Sequence, residues 1–483
     1  RRQTQRLVAT LSGRIKAAFA TQCCDMKHWF SLPLLARKLR LAGIALLCTL
    51  CLPFGAAQAQ GVVRDGEIER LLRDYSKPLL QAAGLVPQRI GIAVINDRRL
   101  NAFVTNGQNM YIHTGLILEA EEPNMVIGVL AHEIGHITGG HLARGSEARA
   151  NSQGPAIIGT ILGLGSILAG AGDIGIALIT GSQQIALRNY LTYNRGQEAA
   201  ADNTALELLD ATGQSTEGII GMMDTLANQE ILSEAYQDPY ARSHPMSRDR
   251  VNAYRAGAMG SPYQDARDSD ALVFRHKMAQ GKIYGFLDSP NVTLRRYRND
   301  TSAPARYARA IALYRQGRRE EAVQSVDGLL SDMPDNPWLY ELKGQIYYET
   351  GQAASGIAPY EKSVELQPDE PLLLIGLASC QLGVGQLGGA AHRDINRQAV
   401  RNLKKALRLD PSNPTAYLQM SKGYGQLGDT ALAQYALAEY HAALGSREAK
   451  YHAKRAAKGL KKGSVEYIRT IDIISGPDKP SSR

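Results

Sequence analysis

An α+β domain followed by an all-α solenoid of repeated helix pairs is the fold class this sequence predicts, on three observations. Residues 61–260 mix short apolar strands with amphipathic helices, one of which carries His132-Glu133-Ile134-Gly135-His136. Beyond residue 300, Pro334 and Pro368 stand 34 residues apart, the period of tetratricopeptide helix pairs. Gly317, Gly351, Gly385 and Gly428 then fall at the same turn position in four successive units. A chain of 483 residues is long enough to bury at least two such cores.

Residues 1–59 read as an upstream extension and a signal peptide. Nine Lys or Arg and one acid lie there, so most of the net charge of +9 is concentrated in that stretch. The remainder is nearly neutral, which argues against a nucleic-acid partner. Met26 is the expected start. Lys27, Arg37, Lys38 and Arg40 form a positive leader, Leu41 to Phe54 an apolar run, and Ala57-Gln58-Ala59 a small-x-small cleavage site. The run is short against the roughly 20 apolar residues of a bilayer span, so cleavage after Ala59 is expected. Downstream of that cut Cys380 stands alone, which leaves no internal disulfide and makes packed cores the source of stability.

The α+β domain is expected over 60–260. Ile68, Leu71, Leu72 and Tyr75 recur at helical spacing, and Ile90 to Ile95 is a short apolar strand. Phe103-Val104 and Met110-Tyr111-Ile112 flank a turn at Thr105-Asn106-Gly107. A helix starts near Pro123, an N1-type proline, and runs through Val126, Val129 and Leu130 into the His motif. Residues 261–300 read as a linker with one helix from Ala271 to Gly281. Four tetratricopeptide repeats fill 301–445, with Ala322, Gly356, Ala399 and Ala433 at the small position of each second helix. Pro368 and Pro411 are 43 apart, so the third unit carries nine extra residues, expected near 388–396 between its two helices. Stacked helix pairs curve and offer a concave surface to peptides or proteins. Residues 446–483 read as a basic C-terminal helix and tail.

Two His four apart on a helix share one face, so both rings reach a single metal, and neutral imidazole suits zinc. The intervening Glu133 is placed to take a proton from an attacking water rather than to ligate. The domain is therefore expected to be a zincin-type metalloprotease holding one zinc per chain. For the third ligand, His141 competes with Glu198. The spacing known from metzincins would need a His at 142, which is Leu142. Glu198, in Glu198-Ala199-Ala200-Ala201-Asp202, is the stronger candidate, with Asp202 one turn on to orient a ligand His and so assist catalysis.

His132-Glu133-Ile134-Gly135-His136, Glu198 with Asp202, and Ser243-His244-Pro245 together resemble the M48 metallopeptidases, as does Asn101-Ala102-Phe103-Val104 running on to Thr114-Gly115-Leu116. The resemblance implies Glu198 as third zinc ligand, Glu133 as general base, and His244 as a regulatory fourth ligand. It leaves Arg248 and Arg250 between steadying a substrate carbonyl and fixing nearby acids. With a signal peptide in front and repeats behind, the chain is similar to periplasmic members of that family. That likeness implies hydrolysis of misfolded or stalled outer-membrane proteins, help with their assembly, and docking of the repeats onto the β-barrel assembly machinery. A different class of function is a chaperone or adaptor in which proteolysis is secondary. Residues 150–180 are apolar, uncharged up to Gly172 and broken by glycines, which suggests helices that touch a membrane peripherally or pack as core.

Overall fold

The computed structural model describes residues 61–105, 108–141, 194–227, 244, 248–386 and 389–476. The expected signal peptide, the apolar interval 150–180, the tip residues Asn106 and Gly107, Ser243, Pro245 and the last seven residues lie outside the described residues. The described part is an α+β domain followed by a helical repeat region, as the sequence predicts. No helix among the described residues is long and apolar enough to cross a membrane.

Helix α1 (Gly66–Ala82) opens on Asp65, whose carboxylate accepts from the Ile68 amide, which satisfies one orphan donor of the first turn. Its apolar face, from Ile68 to Leu80, is buried. Strands β1 (Val62–Val63), β2 (Gly91–Ile95), β3 (Ala102–Thr105) and β4 (Asn109–His113) form a sheet in the order β1-β2-β4-β3. The β2–β4 pair is parallel and the other two are antiparallel, with Val94 opposite Ile112 and Val104 opposite Met110. This register turns Val94, Val104, Met110 and Ile112 into the core beneath the helices. After short α2 (Thr114–Glu119), helix α3 (Pro123–Thr138) is buried almost all round, from Val126 through His136. Helices α4 (194–211), α5 (Glu217–Ala227) and α6 (Arg248–Gly260) complete the domain.

The stretch read as a linker is not one. Residues 261–300 hold two helices, α7 (Asp270–Leu287) and α8 (Pro290–Arg296). Ala279 and Ile283 of α7 belong to the α+β core, while Met278 belongs to the core of the first repeat. Gln280 Nε2 donates to the carbonyls of Ile117 and Ala120 at 2.9 and 2.7 Å, so α7 also caps the end of α2. A helix shared by two cores shows weak one-sided periodicity, and this one was legible only in part for that reason.

The repeats follow as α9 (Ala303–Arg315) with α10 (Arg319–Asp332), α11 (Pro337–Glu349) with α12 (Ala353–Leu366), α13 (Pro371–Gly385) with α14 (Ala390–Leu409), and α15 (Pro414–Leu427) with α16 (Thr430–Ala443). Gly317, Gly351 and Gly428 take positive φ between the helices of their pairs, the conformation that glycine permits most cheaply. Gly385 does not. It ends α13 in helical geometry, pressed against Asn396, and Gly389 supplies the left-handed turn at φ 99°. The extra residues of the third unit lengthen α14 to 20 residues, against 14 in α12 and α16, rather than making a loop. Beyond the fourth pair, α17 (Glu448–Ala457) and α18 (Val465–Ser475) form a further helix pair where a single helix and tail were expected.

Lys282 binds the two regions together. Its ammonium is buried and lies 2.8 Å from Asp65, 3.3 Å from Glu67 and 3.1 Å from Glu341 of α11. Tyr307 of α9 donates to Glu67 Oε2 at 3.1 Å, and Trp338 of α11 offers its ring face to the same ammonium. Burial, only partly offset by Lys282, raises the Glu67 carboxyl to about 7. Replacing Lys282 by Met would leave one buried and two half-buried acids without their cation, at a cost of about 3–5 kcal/mol. The midpoint of urea unfolding for Lys282→Met should fall accordingly; an unchanged midpoint would show that the acids do not depend on it.

Candidate metal centre

Gly135 is the reason the two motif helices meet. A Cβ there would sit 2.8 Å from the Ala201 carbonyl oxygen and 2.9 Å from its Cα, so α3 and α4 approach at backbone contact. Glu198 and Asp202 flank Ala201 on α4 and are carried against the His face of α3. One donor atom from each of His132, His136, Glu198 and His244 lies within 4.8 Å of the others, and all four residues are buried.

Hydrogen bonding fixes which nitrogens face inward. His132 Nδ1 lies 3.0 Å from Asp202 Oδ1, so that nitrogen carries a proton. Burial would lower the ring's pKa, but Asp202 and Glu198 raise it to about 9, and a metal would displace the proton on Nε2. His136 Nδ1 meets His141 Nδ1 at 2.9 Å, leaving His136 Nε2 to face His132 Nε2 at 3.0 Å. Two imidazole nitrogens this close in a buried site need a cation between them, either a shared proton or a metal ion. The remaining separations are 3.3 Å from His132 Nε2 to His244 Nδ1, 3.4 Å from His132 and 3.5 Å from His136 to Glu198, and 3.1 Å from His244 to Glu198. Donors about 2.0–2.1 Å from a tetrahedral ion stand roughly 3.3 Å apart. The donor set therefore fits a small divalent metal.

The surrounding charges fit one as well. Arg250, on α6, donates to Asp202 Oδ2 at 2.6 Å and Oδ1 at 2.7 Å, and its Nη1 lies 3.1 Å from Glu198. Among the described residues two carboxylates, Glu198 and Asp202, thus pair with one guanidinium, while Glu133 faces His244 instead. Burial would raise the Glu198 carboxyl, yet His244 and His132 hold it well below the usual range. For Asp202 burial is likewise outweighed, here by Arg250 and His132. His136 goes the other way, lowered by burial and by His132 and His244 beside it, and so stays in the neutral form that ligates. Both Glu133 oxygens are buried without a hydrogen-bond partner, and His244 Nε2 is 3.4 Å from Oε1. Burial raises the Glu133 carboxyl above its ordinary value, the direction a general base at neutral pH requires.

His132, Glu133, His136, Glu198, Asp202 and His244, the residues that the sequence singled out for ligation and catalysis, therefore lie in one cluster. Two supporting groups were not foreseen in their present roles. His141, weighed only as a ligand, is buried beside His136 and orients its ring. Gly139 and Gly140, the latter at φ 61°, are the sequence signal for that return of the chain, since a Cβ at 139 would collide with the His141 ring. Arg250, expected either to steady a substrate carbonyl or to fix Asp249 and local acids, pairs with Asp202 and Glu198. Arg248 is exposed.

A metal-binding H-E-x-x-H helix crossed by a second helix carrying a Glu one turn from an Asp defines a metal-dependent peptidase. Residues 64–258 match the model of peptidase family M48, and residues 339–370 match the tetratricopeptide repeat. The chain thus carries a family M48 domain followed by repeats, and it is a metalloprotease. It is 26% identical over 327 residues to a beta-barrel assembly-enhancing protease of Yersinia pestis, a match that spans 66% of each chain, just under two thirds of the relative. It is 24% identical over 351 residues to the protein of that name from Escherichia coli strain K12, covering 71% of this chain and 70% of the other. Among solved structures, one of MamA matches 35% of this chain and 94% of its own at 17% identity, with a TM-score of 0.29.

Arg250 can be tested apart from the ligands. Arg250→Met should weaken metal affinity about 10–100-fold, the range for groups that orient ligands, as read by competition with a chromophoric chelator. An affinity equal to wild type would remove Arg250 from the site.

Proposed function

We propose that this chain is a zinc-dependent endopeptidase of the bacterial periplasm that hydrolyses misfolded or stalled outer-membrane proteins and assists their assembly. The buried cluster of His132, His136, Glu198 and His244 with Glu133 beside it carries the catalytic half of this reading. The cellular half rests on the two relatives named for β-barrel assembly and on the leader-like start of the sequence. The repeats would supply the surface that meets the assembly machinery and its clients.

His132, His136 and Glu198 would hold one zinc. When bound, such an ion supplies a Lewis acid for the peptide carbonyl and lowers the pKa of the attacking water. Glu133 accepts that water's proton and returns it to the leaving amine, a transfer favoured by its raised pKa and dry surroundings. Asp202 holds the His132 Nδ1 proton, and Arg250 holds Asp202.

His244 acts as a latch in this reading. Its Nδ1 lies against Glu198 and His132 while its Nε2 faces Glu133. One ring thereby fills the place that attacking water needs and occupies the base that would activate it. His244→Ala should raise cleavage of casein, self-cleavage included, at unchanged zinc content; lower cleavage at full zinc would instead make His244 a transition-state donor.

Zinc content and turnover separate the other roles. Glu133→Gln should keep its zinc and lose about 10²–10⁴-fold in casein cleavage, while retaining any docking to the assembly machinery. Glu198→Ala should lose zinc, whereas His141→Ala should keep most of it. Loss of metal confined to the His141 variant would overturn the ligand assignment.

A further inference from the structure

A second set of imidazole and carboxylate groups comes together at the C-terminal end of the repeats. One donor atom from each of His441, Glu448 and His452 lies within 4.8 Å of the others. Glu448 and His452 are four apart on α17 and so share a face, while His441 lies in the last turn of the preceding helix α16. His441 Nε2 is 3.2 Å from Glu448 Oε2.

An ion pair would account for His441 and Glu448 but not for His452. The rings of His441 and His452 stack face to face, with centroids 5.0 Å apart and planes 5° from parallel. His452 Nδ1 lies 2.9 Å from Gln434 Oε1, an oxygen that only accepts, so Nδ1 carries the proton and Nε2 keeps its lone pair. Fixing the tautomer of a His through its other nitrogen is how proteins prepare an imidazole to ligate. Burial and the neighbouring His441 also lower the His452 pKa, which keeps the ring neutral.

We propose that His441, Glu448 and His452 form an accessory site for a divalent transition-metal ion, with Zn²⁺ as its probe. Two imidazoles and one carboxylate suit zinc and its neighbours rather than magnesium or calcium, which take all-oxygen sites. Ions bound there join α16 to α17 and brace the end of the solenoid. Glu448 and His441 are partly open to solvent, so binding is weaker than in the buried catalytic cluster.

Titrating Zn²⁺ calorimetrically into chelator-treated full-length protein tests this. Two equivalents are expected, and His441→Ala and His452→Ala should each lose the weaker one. Neither change touches the cluster around His132, so the tighter equivalent and casein cleavage should persist. Zinc should also raise the thermal midpoint of the Glu198→Ala protein, and should not do so once His441→Ala is added. The two assignments therefore fail separately, since a His441-dependent equivalent would survive an error about the catalytic ligands. A single equivalent in wild type, or two in both His variants, would overturn the accessory site.

Discussion

A deficit of positive charge governs the protease domain. Glu133, Glu198 and Asp202 are buried within one cluster, and among the described residues Arg250, paired with Glu198 and Asp202, is its permanent cation. Burying carboxylates without partners costs several kcal/mol each, so the cluster as built requires a further cation. Everything around it follows from that requirement. Gly135 lets α4 approach near enough for Glu198 and Asp202 to enter. His132 and His136 turn their Nδ1 atoms outward, to Asp202 and His141, so that their Nε2 atoms face inward. Arg250 does not neutralise the site but leaves it short by about the charge that a divalent ion supplies.

Solenoid and protease are less separable than their sequences suggest. Residues 64–258 match the family model, yet α7 lies beyond that match and fills both cores. Gly281 of α7 rests on the backbone of Pro304, and Tyr307 reaches back to Glu67 at the start of α1. Removing everything after residue 300 would therefore uncover Met278 and leave Lys282 without Glu341. A buried cation shared by three acids also penalises independent motion, since separating the regions would strand charge on both sides. Substrate held on the repeats would thus be presented to the protease by a fixed frame.

How much of this was legible depended on whether chemistry or packing wrote the signal. His132, Glu133, His136 and Glu198 were visible because metal chemistry restricts both residue type and spacing, and spacing survives any detail of the fold. Arg250 left no such mark. A guanidinium 48 residues from its Asp202 partner is bound by tertiary contact alone. Strands β2, β3 and β4 and helix α3 followed from apolar periodicity, whereas β1 and α18 escaped, and α7 was read only over 271–281 because it serves two cores. Half of α18 faces solvent with Val465 and Ile468, which blurs its pattern. Gly385 misled because a glycine at repeat spacing has two uses. In the first, second and fourth units it turns the chain, and in the third it admits Asn396, while Gly389 makes the turn.

His244 shows why the position of one ring can matter more than its acidity. A side chain that only filled the metal's open position could be displaced by any strong donor on a substrate. One that only bonded Glu133 would leave the metal open to water. Lying between the two, with Nδ1 towards Glu198 and Nε2 towards Glu133, the ring couples both events in the proposed resting state. A substrate carbonyl must displace it from the metal side, and the same displacement frees the base. Its carbonyl is also 3.5 Å from Arg250 Nη1, so the group that anchors Asp202 also touches the segment that has to move. If His244 is the latch proposed, one guanidinium would thus touch both the latch residue and the acid that orients His132.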